Sequence, residues 1–252
     1  MEKLTLVEIV QDILNDMSGD YIESITDTEE AEQVANIVKS TYRSILSNRN
    51  WRHTHRLLKL NVASDSSKPT HASIADDLKE LTAINYDKNS VSGESKKYRP
   101  VKYIENDDFL RHCNSRNSTA SNVDTVLNDN GVELFIYNDK QPDYYTSFND
   151  KDIIFDSYDS DVDATIQASK IQAMGYVYPD FEMSDTHVPD LPNEGFSLLV
   201  EESKSKASLK LRQVPDNKAE QESARQNRWL SRKGWSINNI DIYPNYGRKG
   251  RK

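Results

Sequence analysis

The segment from Thr26 to Trp51 constrains the fold most, because its apolar residues recur every three or four positions and so line one face of a helix. Asp27 stands three residues before Glu30 and is the expected N-cap, while Trp51 marks the far end. The apolar stripe comprises Ala31, Val34, Ala35, Val38, Tyr42, Ile45 and Leu46. Other helices must cover this stripe, so the segment predicts a helical bundle.

A second amphipathic helix is predicted over residues 4–19, at the start of the chain. Thr5 and Glu8 have the spacing of a capping box, and Gly19 occupies the position of a C-terminal stop. Its apolar stripe comprises Leu6, Ile9, Val10, Ile13, Leu14 and Met17. A short loop joins this helix to the first segment, which predicts an antiparallel hairpin with one side still uncovered.

Two further helices are predicted near the other end of the chain. The first begins at Asn193 as N-cap and ends at Pro215, and the second begins at Asp216 as N-cap and ends before Gly234. Their inner positions are Phe196, Leu199, Val200, Ser203, Ala207, Leu211 and Val214 in the one, and Ala219, Ser223, Gln226 and Leu230 in the other. The face of the last helix is only weakly apolar, so it needs support from a neighbouring surface or from a larger assembly.

The middle of the chain has the short alternating runs and turn residues of strands. The runs are LLKLNV, LTAINYD, YRPVKY, VELFIYN, YYTSFND and DIIFDSY, with a helical turn near Asn106. Residues 163–178 fit either period, and we favour a strand. The predicted fold class is α+β: an antiparallel helical bundle built from both chain ends, with an inserted small antiparallel β-rich domain and an extended C-terminal tail. The predicted domains are 1–55, 56–190, 191–235 and 236–252.

The charge is unevenly distributed along the chain. A formal net charge of -9 argues against a protein whose whole surface binds nucleic acid. From residue 225 onward, however, only Asp241 is acidic, and the basic residues are Arg225, Arg228, Arg232, Lys233, Arg248, Lys249, Arg251 and Lys252. An acidic body with a basic end predicts a partner on the basic side.

Cysteine usage and hydropathy exclude several classes of protein. The single cysteine, Cys113, rules out an internal disulfide and a multi-cysteine metal site. No apolar run approaches the roughly 18 residues that a membrane-spanning helix needs. The N-terminal sequence lacks the pattern of a secretion signal. We therefore expect a chain that is made in the cytosol and does not enter a membrane.

Searching for chemistry identifies no catalytic, nucleotide-binding or zinc-binding motif. An acidic cluster comprises Asp156, Asp159, Asp161 and Asp163. Its spacing does not match a calcium-binding loop, which favours a solvated turn. His53 and His55 would lie on one side of a strand, but two ligands without a third favour a structural role. We expect no enzymatic activity, no catalytic residue, no cofactor and no metal.

The order of several segments carries a family resemblance. These are the first predicted long helix running into Asn50 and Trp51, then LLKLNV, ADDLKELTAINYD, YRPVKYIENDDFL and VPDLPNEGFSLLVEESKSKASLKL, followed by a charged last helix. Together they resemble the head-to-tail adaptors of short-tailed phages, also called tail tubular protein A or tail accessory factors. The resemblance extends over most of residues 1–235 and rests on the order of elements rather than on a catalytic signature.

The resemblance implies a structural virion protein of the phage neck, assembled in the host cytoplasm as a dodecameric ring beneath the portal. Its partners would be copies of itself, the portal protein, and the tail nozzle or tail tubular protein B, while DNA passes through the channel without specific binding. The bundle helices would make the ring contacts, with Arg225, Arg228, Trp229, Arg232 and Trp235 as candidate contact residues. The tail would grip the portal through Tyr243, Tyr246, Arg248, Lys249, Arg251 and Lys252.

Two other function classes stay open on the sequence alone. A cell-wall hydrolase of the tail is one alternative, because phage tails must cross an envelope. A nucleic-acid-binding module is the other, and it would use the basic residues of the C-terminal tail. Within the adaptor hypothesis, we expect the acidic β-rich part to line or border the DNA channel, because negative charge repels phosphates.

Overall fold

The computed structural model divides the chain into two compact units. The helical unit combines residues 1–53 with 178–252, and the β unit comprises residues 54–177. The structure describes residues 3–63, 65–89, 95–128, 130–149 and 151–238, and side chains up to residue 232. Within the described part of the chain, no helix is both long enough and apolar enough to cross a bilayer.

The first helix, α1, spans Leu6–Asp16 and confirms the predicted capping box. The Glu8 carboxylate accepts a hydrogen bond from the Thr5 backbone N–H at 2.7 Å, and the Thr5 hydroxyl accepts one from the Glu8 N–H. At the other end, Ser18 rather than Gly19 adopts the left-handed conformation, with φ of 58°. The Gly19 N–H then donates to the Leu14 carbonyl at 2.8 Å, which closes the helix with a Schellman-type bond.

The second helix, α2, spans Glu29–Ser47 and buries every residue of its predicted stripe. Its predicted N-cap, Asp27, is wrong, because the Thr28 hydroxyl accepts the hydrogen bond from the Ala31 N–H at 3.1 Å. The Asp27 carboxylate instead accepts from the N–H groups of Glu23 and Ser24, both at 2.7 Å. Asp27 therefore stabilises the turn before the helix rather than the helix itself.

Helix α4 spans Gly195–Ala207 and continues as a π-helical segment, Ser208–Arg212. The predicted N-cap Asn193 is wrong, because Glu194 precedes the helix and makes no side-chain capping bond. The apolar pattern also overestimates its length, since Val214 is 62% exposed. Leu211 still packs against the core, but the helix ends at Arg212, so Val214 does not continue the buried face.

Helix α5 spans Asn217–Asn238. The Asp216 carboxylate accepts hydrogen bonds from the N–H groups of Lys218 at 3.1 Å and Ala219 at 3.0 Å, which confirms Asp216 as the capping residue. Gly234 lies inside the helix, so its predicted role as a terminator is wrong. A glycine in a helix interior costs only about 1 kcal/mol and does not by itself end a helix.

One apolar cluster holds the helical unit together, and α4 packs against α1, α2 and α5 within it. Its members include Ile9 and Ile13 of α1, Val38 and Tyr42 of α2, Phe196 and Leu199 of α4, and Leu230 of α5. The segment that returns from the β unit also takes part. Its His187 carbonyl accepts a hydrogen bond from the Leu6 N–H at 2.7 Å, which pairs one of the free donors at the start of α1.

The β unit contains an eight-stranded sheet and a two-stranded sheet. In chain order the elements are β1 His55–Leu58, β2 Asn61–Val62, β3 His71–Ser73, β4 Leu78–Asp87, β5 Tyr98–Tyr103, α3 Asn106–Asn114, β6 Val123–Leu127, β7 Glu133–Tyr137, β8 Tyr144–Thr146, β9 Asp152–Phe155 and β10 Ile171–Val177. The large sheet has the order β1, β10, β4, β5, β8, β9, β3, β2, and β6 pairs with β7. Neighbouring strands are antiparallel except β5 and β8, which are parallel.

The predicted fold class, a helical bundle with a small antiparallel β-rich insertion, is wrong. The described residues form a mixed fold, with five α-helices beside an eight-stranded sheet that includes a parallel pair. The sheet joins strands far apart in the chain, such as β1 and β10 at His55 and Tyr176. Hydrophobic alternation predicts which face of a strand is buried, but not which strands pair with it. The sequence alone therefore underestimates the number of strands in such a sheet. The first three residues of the predicted extended tail, 236–238, are helical in α5.

Two apolar clusters stabilise the β unit. The larger lies on the eight-stranded sheet and includes Ile84, Phe155 and Ala173. The second forms where Phe109 of α3 packs with Leu134 of β7 and other residues. In residues 163–178, the favoured strand is confirmed for Ile171–Val177, which is β10.

A methyl group at Gly175 on β10 would overlap its neighbours. A Cβ there would stand 2.6 Å from the Glu80 carbonyl oxygen, 2.7 Å from Leu58 Cδ1 and 2.9 Å from Leu78 Cδ1. Because the closest atom is backbone, we expect Gly175→Ala to lower the free energy of unfolding by about 1–3 kcal/mol, measured by urea unfolding and circular dichroism. Gly195→Ala is the control, since its Cβ would come no closer than 3.5 Å to its own neighbours, Leu191 and Pro192. Equal midpoints for the two variants would contradict this packing.

Candidate interaction surface

The outward face of α5 gathers four of the candidate ring-contact residues. One side of the helix carries Arg225 together with Arg228, Trp229 and Arg232, which follow it by three, four and seven residues. All four are exposed, and the exposed fraction of Trp229 is 47%. We call these four residues the α5 stripe.

The opposite face of α5 packs against α4 through small and polar side chains. Ala219, Ser223 and Leu230 are buried there, and only Leu230 is a large apolar residue. The Ser223 hydroxyl donates a hydrogen bond to the Glu202 carboxylate of α4. Such a thin apolar contact gives α5 little hydrophobic stabilisation of its own, as the sequence predicts.

The described residues neutralise the charges of the α5 stripe only in part. Arg225 forms an ion pair with Glu222 one turn earlier, at 2.6 Å. Among the described residues, neither Arg228 nor Arg232 makes an ion pair. Exposed arginines around a half-exposed tryptophan are the composition that protein interfaces favour at their energetic centres.

The remaining sequence-based candidates cannot be placed on this surface. Trp235 belongs to α5 but lies beyond residue 232, where the description of side chains ends. The proposed portal-binding residues Tyr243, Tyr246, Arg248, Lys249, Arg251 and Lys252 all lie outside the described residues. Their roles remain predictions from the sequence.

No protein-family model matches this chain, and no curated protein matches it significantly.

The acidic cluster of the sequence separates into a buried residue and an exposed loop. Asp156 is 5% exposed, whereas Asp161 and Asp163 lie on the surface. In the part of the chain that the structure describes, no group of three or more histidine, cysteine or carboxylate side chains is arranged to hold a metal. The four aspartates therefore do not act as one group, and the solvated-turn interpretation applies only to the exposed ones.

Asp156 takes part in a buried network that sequence reasoning missed. The Arg116 guanidinium donates to the Asp156 carboxylate at 3.2 Å and to the Asp156 carbonyl at 2.6 Å. The other carboxylate oxygen accepts from the N–H groups of Asp143 and Tyr144, both at 3.0 Å. Arg116 also lies over the Tyr137 ring at 4.2 Å. This network joins the segment after α3 to β7, to the start of β8 and to the residue that follows β9, and nothing in the polar sequence around Arg116 marks it.

The two histidines considered as metal ligands have structural partners instead. The His53 Nε2 lies 2.8 Å from the Asp190 carbonyl oxygen, and His53 contacts the Trp51 ring. The His55 Nε2 lies 2.9 Å from the Thr82 hydroxyl, and its ring stacks on Tyr176 at 4.7 Å. His53 lies in a 3-10 turn, Arg52–Thr54, and β1 begins at His55, so the predicted placement of both histidines on one strand is wrong.

A cleft of about 920 Å³ opens in the β unit beside the start of β4. It is lined by both charge signs, with Lys79 and Lys151 balanced by Asp76 and Glu80. The Ser147 hydroxyl at its wall is buried without a hydrogen-bond partner. The lining holds lysine and carboxylate side chains but no histidine or cysteine. The hydrolase alternative therefore stays a prediction from the sequence.

Breaking the buried ion pair should destabilise the β unit strongly. Asp156→Asn removes the negative charge and leaves the Arg116 guanidinium, 3% exposed, without its carboxylate partner. We expect a loss of about 3–5 kcal/mol in the free energy of unfolding, measured by urea unfolding. Asp161→Asn makes the same chemical change on the exposed loop and should alter it by less than about 0.5 kcal/mol. A small effect of Asp156→Asn would mean that the pair does not form.

The only cysteine should report whether the β unit is folded. Cys113 is completely buried on α3, and burial raises the pKa of its thiol to about 12. A raised pKa keeps the thiol protonated, so at pH 8 roughly one thiol in ten thousand carries the reactive thiolate. We expect iodoacetamide to leave the native chain unmodified at pH 8 and to alkylate it fully in urea, as measured by mass spectrometry. Rapid native alkylation would contradict the packing of α3.

Proposed function

We propose that this chain is a head-to-tail adaptor of a short-tailed phage, a structural virion protein that forms a ring under the portal and continues the DNA channel to the tail nozzle. It assembles in the host cytoplasm and functions in the virion neck. The observation that carries the proposal is the α5 stripe, an exposed basic and aromatic face on a helix that is weakly anchored to its own chain. The family resemblance of the ordered segments points to the same function.

A ring explains why a chain would keep a helix as polar as α5. In a cyclic assembly each copy repeats the same head-to-tail contact, so a helix that is half covered in one chain is covered again by the next. Exposed arginine and tryptophan side chains are then placed where desolvation makes their contacts strongest. Twelve copies, as in the adaptors that the chain resembles, would give the portal and the tail one matching platform.

The charge of the β unit supports a channel that does not bind DNA. Residues 54–177 contain 20 acidic and 14 basic side chains. A negative surface repels phosphates, so DNA that passes along it is not retained by ion pairs. The basic C-terminal residues would then contact the portal protein rather than the genome.

The adaptor function is tested by assembly with the portal protein. We expect the full-length chain, mixed with its cognate portal, to form a closed ring on the portal that is visible by negative-stain microscopy and countable by native mass spectrometry. Replacing the four basic tail residues Arg248, Lys249, Arg251 and Lys252 with alanine should abolish portal binding. The control exchanges arginine and lysine at the same four positions, which keeps the charge and should keep binding.

Two results would overturn the adaptor proposal. One is a chain that stays monomeric and does not bind the portal at any ratio. The other is salt-dependent retention of DNA that disappears with the alanine variant, because it would assign the basic tail to nucleic acid instead.

A further inference from the structure

One region of the helical unit has the opposite charge to the α5 stripe. Residues 12–32 contain eight acidic side chains and no lysine or arginine. They run from the second half of α1 through the connecting turn into the first turn of α2. We call this region the acidic turn; its acidic residues are Asp12, Asp16, Asp20, Glu23, Asp27, Glu29, Glu30 and Glu32.

Most of this negative charge is exposed, and most of it is not paired with any residue that the structure describes. Seven of the eight carboxylates belong to exposed residues, and the eighth, Glu30, is half-buried. Asp16 pairs with Lys204, and Glu30 pairs with Arg212 at 2.8 Å. The other six make no ion pair with any described residue. Repulsion among them would be relieved by a partner with positive charge.

The acidic turn also carries an exposed aromatic side chain. Tyr21 is 79% exposed, which makes it the most exposed of the large hydrophobic residues on the described surface. The α5 stripe likewise presents Trp229 among its arginines. Both surfaces thus combine an aromatic residue with charge, and the charges have opposite signs. This is the complementarity that steers two proteins together and fixes their register.

The two surfaces cannot satisfy each other within one copy. The α5 stripe lies on the face of α5 opposite to the buried residues that pack on α4, and α4 in turn packs against α1 and α2. Arg228 and Arg232 accordingly make no ion pair with the acidic turn of their own chain. Two unlike surfaces on one chain that attract each other define a head-to-tail contact between copies, which closes into a ring when the rotation permits.

We propose that the α5 stripe of one copy docks on the acidic turn of the next. Arg228 and Arg232 pair with carboxylates of the acidic turn, and Trp229 and Tyr21 become covered at the contact. This inference rests on the proposed ring, and it names which two surfaces of the chain form it. Because the contact is largely ionic, it weakens at an ionic strength near 1 M, where the Debye length is about 3 Å.

Reciprocal charge reversal tests the pairing directly. Arg228→Glu with Arg232→Glu makes the stripe acidic, and Asp20→Lys with Glu23→Lys makes part of the turn basic. We expect each double variant alone to assemble at least about tenfold more weakly than the unmodified chain, by native mass spectrometry and sedimentation velocity. An equimolar mixture of the two should assemble again, because every stripe then meets a turn of opposite charge. The quadruple variant should assemble on its own for the same reason.

Matched controls separate this contact from a general effect of net charge. Arg99→Glu with Lys102→Glu on β5 changes the net charge by the same amount as the stripe variant, at exposed positions. Asp107→Lys with Glu133→Lys matches the turn variant in the same way. Both controls should assemble like the unmodified chain. Circular dichroism should show that all variants keep their helical content, because every substituted residue is exposed.

The outcomes distinguish this inference from the adaptor proposal. If the unmodified chain forms rings and the stripe and turn variants form them equally well, or if the mixture is not rescued, the docking contact is refuted while the ring stands. If the unmodified chain forms no assembly even with its portal protein, both proposals are refuted. A stripe variant that loses only DNA binding, with no change in assembly, would assign the stripe to nucleic acid and overturn the contact.

Discussion

The burial of α4 against the α1–α2 hairpin is the interaction on which the helical unit depends. Phe196 and Leu199 of α4 enter the same apolar cluster as Val38 and Tyr42 of α2, and each such side chain contributes about 1.5–3 kcal/mol when fully buried. Without α4, the side of the α1–α2 hairpin that α4 covers would face water, and α5 would lose the surface on which it packs. The same helix, α4, therefore covers the α1–α2 hairpin and supports α5. It brings together residues that the whole β unit separates in the chain.

Sequence reasoning succeeded where the signal is local. The stripe of α2, the capping box at Thr5 and the cap at Asp216 each depend on residues within one or two turns, and all three are confirmed. It misplaced some helix ends, at Asp27, Asn193 and Gly234, and it failed where partners are distant. The neighbours of β10, the parallel pairing of β5 with β8, and the buried pair of Arg116 with Asp156 depend on contacts across the fold that no periodicity encodes. Helical spacing predicted the exposed face of α5, but it did not predict the acidic turn that we propose as its partner.

The charge of the helical unit is distributed asymmetrically. Its basic and acidic surfaces occupy different helices, and α4 packs against both groups of helices. A chain with this asymmetry has two different surfaces for contacts between copies, unlike a chain that pairs with itself through a single patch. Such a chain can be added to a growing assembly in only one orientation. The π-helical end of α4 beside the α4–α5 connection keeps Leu209 and Val214 exposed, so apolar surface is also available on this unit.

The pairing of β1 with β10 has a consequence for how the chain folds. His55 and Tyr176 stand side by side, so the first and last strands of the β unit bring its two ends together. An unstructured segment of that length would oppose the meeting of α2 and α4 with a closure entropy of about 4 kcal/mol. Once the sheet has formed, the ends are already adjacent and most of that penalty disappears. Folding of the β unit therefore shortens the effective length of chain between the two halves of the helical unit.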